Sequence, residues 1–293
     1  VVSLGRALDL SPEHQALLQS AVTIEHPPRR RERIDALKPS LLRIVRPDSR
    51  GVQNHNLPQE LTSFIGRQGE VREIAALLRD HRIVTIIGAG GVGKTRVAVH
   101  AGSDVLDRCP DGVWLVDLAL LEDQTLVADG VSAALQLPST TGSPLHVVVA
   151  YLKTRRLLLI LDNCEHVIAE ARSVAATITL ECPHTCVLAT SREVLGVPGE
   201  WVYRLPSLEV PPDSCRAAYD ALRYGAVALF VDRALAVDAS FVLTDDNAPD
   251  VAEICRRLDG IPLAIELAAA RVSVLAPHQI AERLDQRFRL LTG

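Results

Sequence analysis

The sequence predicts an α/β fold: a three-layer α/β/α unit built on a parallel five-stranded sheet, followed by a small all-helical unit. Three observations carry that prediction. From Leu61 onward, short aliphatic runs alternate with longer segments of helical character, the pattern of a parallel sheet covered on both faces. Beyond the proline-rich stretch Pro206–Pro212, every segment places apolar residues three and four apart. The length of 293 residues, at about 100–200 residues per domain, predicts two domains and a fragment of a third.

Taken in order, residues 1–24 hold one amphipathic helix. Ser11, Pro12 and Glu13 serve as its N-cap, first-turn proline and first-turn acid, and Leu17, Leu18 and Val22 form its apolar face. Residues 25–58 read as a linker with one docked helix, carrying Arg29, Arg30, Arg31 and Arg33. The strands follow: Ile83–Ile87, Val113–Leu118, Leu157–Leu161, Cys186–Thr190 and Trp201–Leu205. Between them lie helices such as Arg96–Leu106, Leu126–Leu137 and Ile168–Leu180. Helices over Ala221–Ala236, Asp250–Leu258, Pro262–Leu275 and His278–Leu290 complete the chain. The expected units are residues 1–56, 57–212 and 213–293.

Composition narrows the function classes. Hydrophobic residues make up 48%, charged residues 23%, and the net charge is −5, which excludes a disordered or collagen-like chain. The mild acidity also argues against a chain that lies mostly along nucleic acid, so any DNA contact is expected to be local or to belong to a part missing from this sequence. No window reaches 18 apolar residues and no signal-peptide pattern opens the chain, so no membrane partner and a cytoplasmic location are expected. The absence of methionine, even at position 1, predicts a piece of a longer or processed protein. Of 31 basic residues only Lys38, Lys94 and Lys153 are lysines. The six cysteines lie apart, without CxxC pairs, and read as reduced thiols. Cys182, His184 and Cys186 are too close and too constrained by Pro183 for a zinc site.

The chemistry concentrates after the first strand. Gly88, Ala89, Gly90, Gly91, Val92, Gly93, Lys94 and Thr95 spell GxxxxGK[ST] between a strand and a helix, the P-loop pattern. Glycines let backbone N–H groups close around phosphates, and the following helix turns its positive end toward the same anions. Lys94 is placed to reach the β- and γ-phosphates and Thr95 to ligate Mg2+. A metal-binding carboxylate is then required at the end of another buried strand, and Asp162 after Leu157–Leu161 supplies it.

Asn163 stands where many P-loop ATPases carry a second carboxylate, and an amide cannot accept the proton of an attacking water. Glu165 is the available substitute, with a structural helix start at Glu165-His166 as the competing reading. Nucleotide binding with slow hydrolysis follows. Arg192, at the carboxyl end of the fourth strand, is a candidate sensor of the γ-phosphate; the alternative is a surface arginine paired with Glu193.

Five ordered motifs then add up. LPQELTSFIGR (57–67), GAGGVGKTR (88–96), LLLILDNCEH (157–166), LATSRE (188–193) and LDGIPLAIELAAAR (258–271) together resemble the nucleotide-binding core of STAND-class ATPases. More narrowly, they are similar to the NB-ARC-type module of large actinobacterial transcriptional regulators in the AfsR and LuxR-like group. The resemblance covers about four-fifths of the chain. It implies ATP or ADP with Mg2+ held between the P-loop unit and the helical unit, and exchange of ADP for ATP that opens the protein and permits self-association. It also implies that Phe64, Ile65, Gly66 and Arg67 pack around the adenine, that the phosphate-binding run extends to Arg96, that Arg192 is the sensor, and that Pro262 touches the base. Two departures qualify it. The chain stops before the winged helix whose histidine commonly locks ADP, and Leu4–Val22 is similar only to the last helix of an Xre-type helix-turn-helix domain. The same core in a signalling or defence protein is the alternative setting.

Overall fold

The computed structural model describes residues 54–121, 126–138 and 142–291, with side chains up to Leu284. The helices expected at 1–24 and within 25–58 lie outside the described residues.

Five strands form one sheet: β1 (Ile83–Ile87), β2 (Val113–Asp117), β3 (Leu158–Asp162), β4 (Cys186–Ser191) and β5 (Trp201–Arg204). Their spatial order is β2-β3-β4-β1-β5 and every pairing is parallel. The most apolar strands take the middle. All residues of β1 and β3 are buried, whereas β5 at one edge is largely exposed. At the other edge His55 bridges Val113, extending the sheet by one residue beyond β2.

Strand alternation splits the core into two layers. Leu158 and Ile160 pack with Val84, Ile86 and Leu188 against helices α1 (Gln68–Asp80) and α2 (Lys94–Asp104). Leu159 and Leu161 face the opposite side, with Val187 and Ala189, against α3 (Val127–Ala134), α4 (Pro144–Leu152) and α5 (Ile168–Glu181). A third apolar cluster is mostly helical, with Leu208 and Phe241 added from loops. It gathers Phe230 of α7 (Gly225–Val237), Ile254 of α8 (Ala248–Arg257), Ile265 of α9 (Pro262–Ala269) and Ile280 of α10 (Pro277–Leu291), preceded by the one-turn α6 (Ala218–Ala221). Phe230 is fully buried there, and truncating such a ring to alanine costs about 3–5 kcal/mol.

The helix expected over Ala221–Ala236 is two helices. The break falls where Gly225 meets Gly66: a Cβ on Gly66 would stand 3.0 Å from the Gly225 Cα. The new helix starts there, and Ala226 N–H donates to Glu209 O at 3.1 Å. The helix expected to run from Pro262 to Leu275 ends at Ala269. Beyond it, Arg271 N–H and Val272 N–H bond carbonyls three residues back, at 3.0 and 3.1 Å, and the turn tightens out of α geometry. Two helices were not singled out in the sequence, α1 and α4; α4 begins on Pro144, whose fixed φ suits a first turn. All six cysteines are free thiols. Among the described residues no helix is long and apolar enough to cross a membrane.

Candidate nucleotide site

The site gathers at the carboxyl edge of the sheet, where β1, β3 and β4 end side by side. The chain leaves β1 at Ile87, turns through Gly88–Gly93 and enters α2 at Lys94. Two glycines permit the turn, Gly91 at φ +77° and Gly93 at φ +97°, the latter forming the N-cap of α2. At Gly91 close approach is also required: a Cβ would lie 2.8 Å from the Leu263 Cβ, and its carbonyl accepts from Leu263 N–H at 3.2 Å.

Lys94 is 7% exposed, and its Nζ donates to the carbonyls of Gly88 and Ala89 at 3.0 and 3.2 Å. Burial pushes the ammonium pKa down. Among neighbouring charges Glu165 opposes this most, Arg192 adds to it and Asp162 opposes it.

Thr95 and Asp162 meet as the sequence required. The Thr95 hydroxyl lies 2.8 Å from Asp162 Oδ1 and 3.0 Å from Oδ2. Thr190 Oγ1 donates to Oδ1 at 2.5 Å and Asn163 Nδ2 to Oδ2 at 3.0 Å. Burial still pushes the carboxyl pKa up; the Thr190 and Thr95 bonds pull it down, and Asp117 and Glu165 push it further up. A buried carboxylate destabilised in this way gains from a cation beside it.

Asn163 takes the left-handed conformation at φ +61°, turning the chain out of β3. Its amide nitrogen donates to Asp162 and, at 3.3 Å, to Asp117 Oδ1. Cys164–His166 then form one 3-10 turn, so the stretch Glu165-His166 is a short turn ahead of α5. Glu165 Oε1 accepts from Arg192 Nε at 3.1 Å, and the Glu165 side chain is 7% exposed. Its Oε2 is buried with no hydrogen-bond partner, an omission that costs about 1–3 kcal/mol for a buried acceptor. The acid that meets Arg192 is therefore Glu165, 27 positions away, where adjacency had suggested Glu193.

The segment before α1 forms the second wall. Phe64 stacks on His100 of α2, with centroids 3.7 Å apart, and the Arg96 guanidinium lies 5.5 Å from the Phe64 ring centroid. Arg96 donates to Glu60 at 3.1 and 2.8 Å and to the carbonyls of Thr62 and Ser63. Ile65 packs on the helical cluster, and Gly66 turns at φ +74° beside Gly225. Arg67 is 3% exposed. It donates to the Val92 carbonyl of the P-loop at 3.3 Å, to Pro206 O at 2.7 Å and to Glu70 at 2.6 Å. Pro262 opens α9, one residue before the Leu263 amide that bonds Gly91.

Two groups thus come together: Gly88–Thr95 with Asp162, Glu165 and Arg192, and Phe64–Arg67 with Pro262 at the border of the loop. The donor set fits a nucleoside polyphosphate with Mg2+: a buried ammonium and a helix N-terminus for phosphate, a hydroxyl and a carboxylate for a hard cation. Among the described residues no cluster of three or more His, Cys, Asp or Glu side chains is arranged for a metal.

The chain is 40% identical over 240 residues to an uncharacterized protein of Mycobacterium tuberculosis, covering 82% of this chain and 58% of the relative. It is 42% identical over 219 residues to a Mycobacterium tuberculosis protein provisionally named an HTH-type transcriptional regulator, covering 74% of this chain and 23% of the relative. Regulatory protein AfsR of Streptomyces griseus is 28% identical over 257 residues, 80% of this chain and 24% of AfsR. Over the matched residues this chain is similar to one segment of these regulators.

The chain spans 58% of the uncharacterized relative and about a quarter of the two regulators. No family model matches it. The Walker-type ATPase of Pyrococcus abyssi shares its fold at a TM-score of 0.54 and 14% identity, covering 81% of this chain and 76% of that one. Three of the chain's site residues escaped the sequence reading. Thr190, which bonds Asp162, was detectable as a hydroxyl interrupting the apolar run of β4 beside the strand that ends in Asp162. Glu60 and His100 gave no local signal, because their meeting depends on how 57–67 lies across α2.

Proposed function

We propose that this chain is an adenine-nucleotide switch inside a cytoplasmic transcriptional regulator of the STAND class, binding ATP or ADP with Mg2+. The observation that carries the reading is the Thr95–Asp162 pair beside buried Lys94 at the mouth of the P-loop. In this reading Gly88–Thr95 hold the phosphates, Thr95 and Asp162 hold Mg2+, and Arg192 reads the γ-phosphate. Phe64–Arg67 and Pro262 border the base. Mg2+, when bound, neutralises charge on the β- and γ-phosphates. Residues 57–212 serve as the nucleotide-binding unit and 213–293 as the helical unit.

Hydrolysis is slow on this proposal, because Asn163 donates its amide to Asp162 and Asp117 and offers no base to a water. Occupancy is passed to the helical unit by the 57–67 strap. Arg96 of α2 and Arg233 of α7 both donate to the Ser63 carbonyl, at 3.2 and 3.0 Å. Opening and self-association follow exchange of ADP for ATP, and DNA is read by segments outside 57–293. The names of the regulator relatives support the transcriptional setting over a defence or signalling one.

The test is denaturing extraction of the purified chain and identification of any nucleotide released, followed by calorimetric titration with ATP and ADP. Stoichiometric ADP, or tight binding of either nucleotide, is expected. A chain that emerges empty and binds neither, with or without Mg2+, overturns the proposal. Steady-state turnover above roughly 10 s⁻¹, a typical enzyme rate, overturns the switch reading alone.

A further inference from the structure

Resting on the nucleotide reading, we infer that Glu165 is an internal competitor of the γ-phosphate: it holds Arg192 and thereby biases the site toward the diphosphate. Three observations lead there. The Glu165 carboxylate meets Arg192 at 3.1 Å on the carboxyl edge of the sheet. Burial lowers the pKa of the Lys94 ammonium and the Glu165 charge opposes it, so one carboxylate acts on both cations assigned to the γ-phosphate. Its second oxygen is buried without a hydrogen-bond partner, so the group is under-satisfied where it stands.

A γ-phosphate arriving between Lys94 and Arg192 meets a negative charge already neutralising them. ADP meets it less, because without a γ-phosphate its binding does not draw on Arg192. Glu165 is a positioning residue: it touches Arg192, and its effect on the ligand runs through that guanidinium. Glu165→Gln keeps the size and an oxygen for Arg192 Nε while deleting the charge. The expected result is a rise in ATP affinity relative to ADP of about tenfold, the size of one unit charge felt in a partly screened site.

The experiment is calorimetric titration of the full chain with ATP and with ADP, using wild type, Glu165→Gln, Arg192→Ala and the double variant. The inference predicts that Glu165→Gln raises the ATP-to-ADP affinity ratio and that most of this gain disappears in the Arg192→Ala background. An unchanged or lowered ratio overturns it, as does an equal gain with and without Arg192. If Glu165→Gln melts far below wild type, Glu165→Ala is titrated instead, with the same expected direction. A wild-type chain that binds neither nucleotide overturns the underlying reading, a result distinct from a chain that binds both and ignores Glu165.

Discussion

At the scale of single residues, the roles around the P-loop separate by charge and by what each group touches. Lys94→Ala removes the only ammonium at the loop among the described residues, and a charge-assisted contact contributes about 1.5–3 kcal/mol per bond. Affinity for both nucleotides should therefore fall by roughly a hundredfold or more by calorimetry, and an unchanged ATP affinity would contradict the assignment. Asp162→Ala acts differently, since on the proposed reading this carboxylate serves Mg2+ and not the phosphates. Binding of ADP without Mg2+ should stay within about threefold of wild type, while the enhancement by Mg2+ disappears. Arg192→Ala should weaken ATP by about ten- to a hundredfold and ADP far less; equal losses would make the arginine structural. Lys94, Thr95 and Asp162 were all legible because spacing and strand context specify them. The Glu165–Arg192 pair was not, since no local pattern joins positions 27 apart.

Among the elements, the strap from Leu57 to Arg67 ties the P-loop helix to the helical cluster. Arg96, first by its hydrogen bonds, holds the Glu60 carboxyl below its ordinary pKa, with His100 adding to the effect and burial opposing it. A carboxyl depressed in the folded state contributes stability above its unfolded pKa and loses it as pH falls through the folded value. Glu60→Gln should accordingly lower the melting temperature at pH 7 by the equivalent of about 0.5–1 kcal/mol, the range for a partly exposed pair. The gap between variant and wild type should close below about pH 4, the ordinary carboxyl range. A gap independent of pH would place the effect in packing. The strands of this fold were readable almost to the residue because β1, β3 and β4 are buried on both faces and therefore mostly apolar. Helix ends were less so. The break before Gly225 answers to Gly66, and the stop at Ala269 to a tightened turn, both set by tertiary neighbours.

For the whole molecule, the question is what seats the helical cluster on the P-loop unit, since a switch needs that seat to be specific. Beside the strap, one junction does it. Gly260 at φ +65° presents its carbonyl to Leu208 N–H at 2.9 Å, and a Cβ there would fall 2.1 Å from the Leu208 carbonyl oxygen. Two residues later Pro262 starts α9, whose Leu263 amide reaches Gly91 in the phosphate loop. The glycine therefore fixes both the close approach of Leu208, itself part of the helical core, and the aim of α9 at the loop. Gly260→Ala combines a left-handed backbone with a clash against backbone, and should cost about 3 kcal/mol or more. Gly199 is the control: it sits at φ +81° with nothing within 4 Å of an added Cβ, so Gly199→Ala should cost only the backbone strain, about 1 kcal/mol. Chemical denaturation of the two variants checks the difference, and titration with ADP checks its consequence. Gly260→Ala should lose nucleotide affinity because Gly91 loses its α9 partner, whereas Gly199→Ala should keep it. Equal stability and equal affinity in the two variants would mean that the helical cluster is seated by the strap alone.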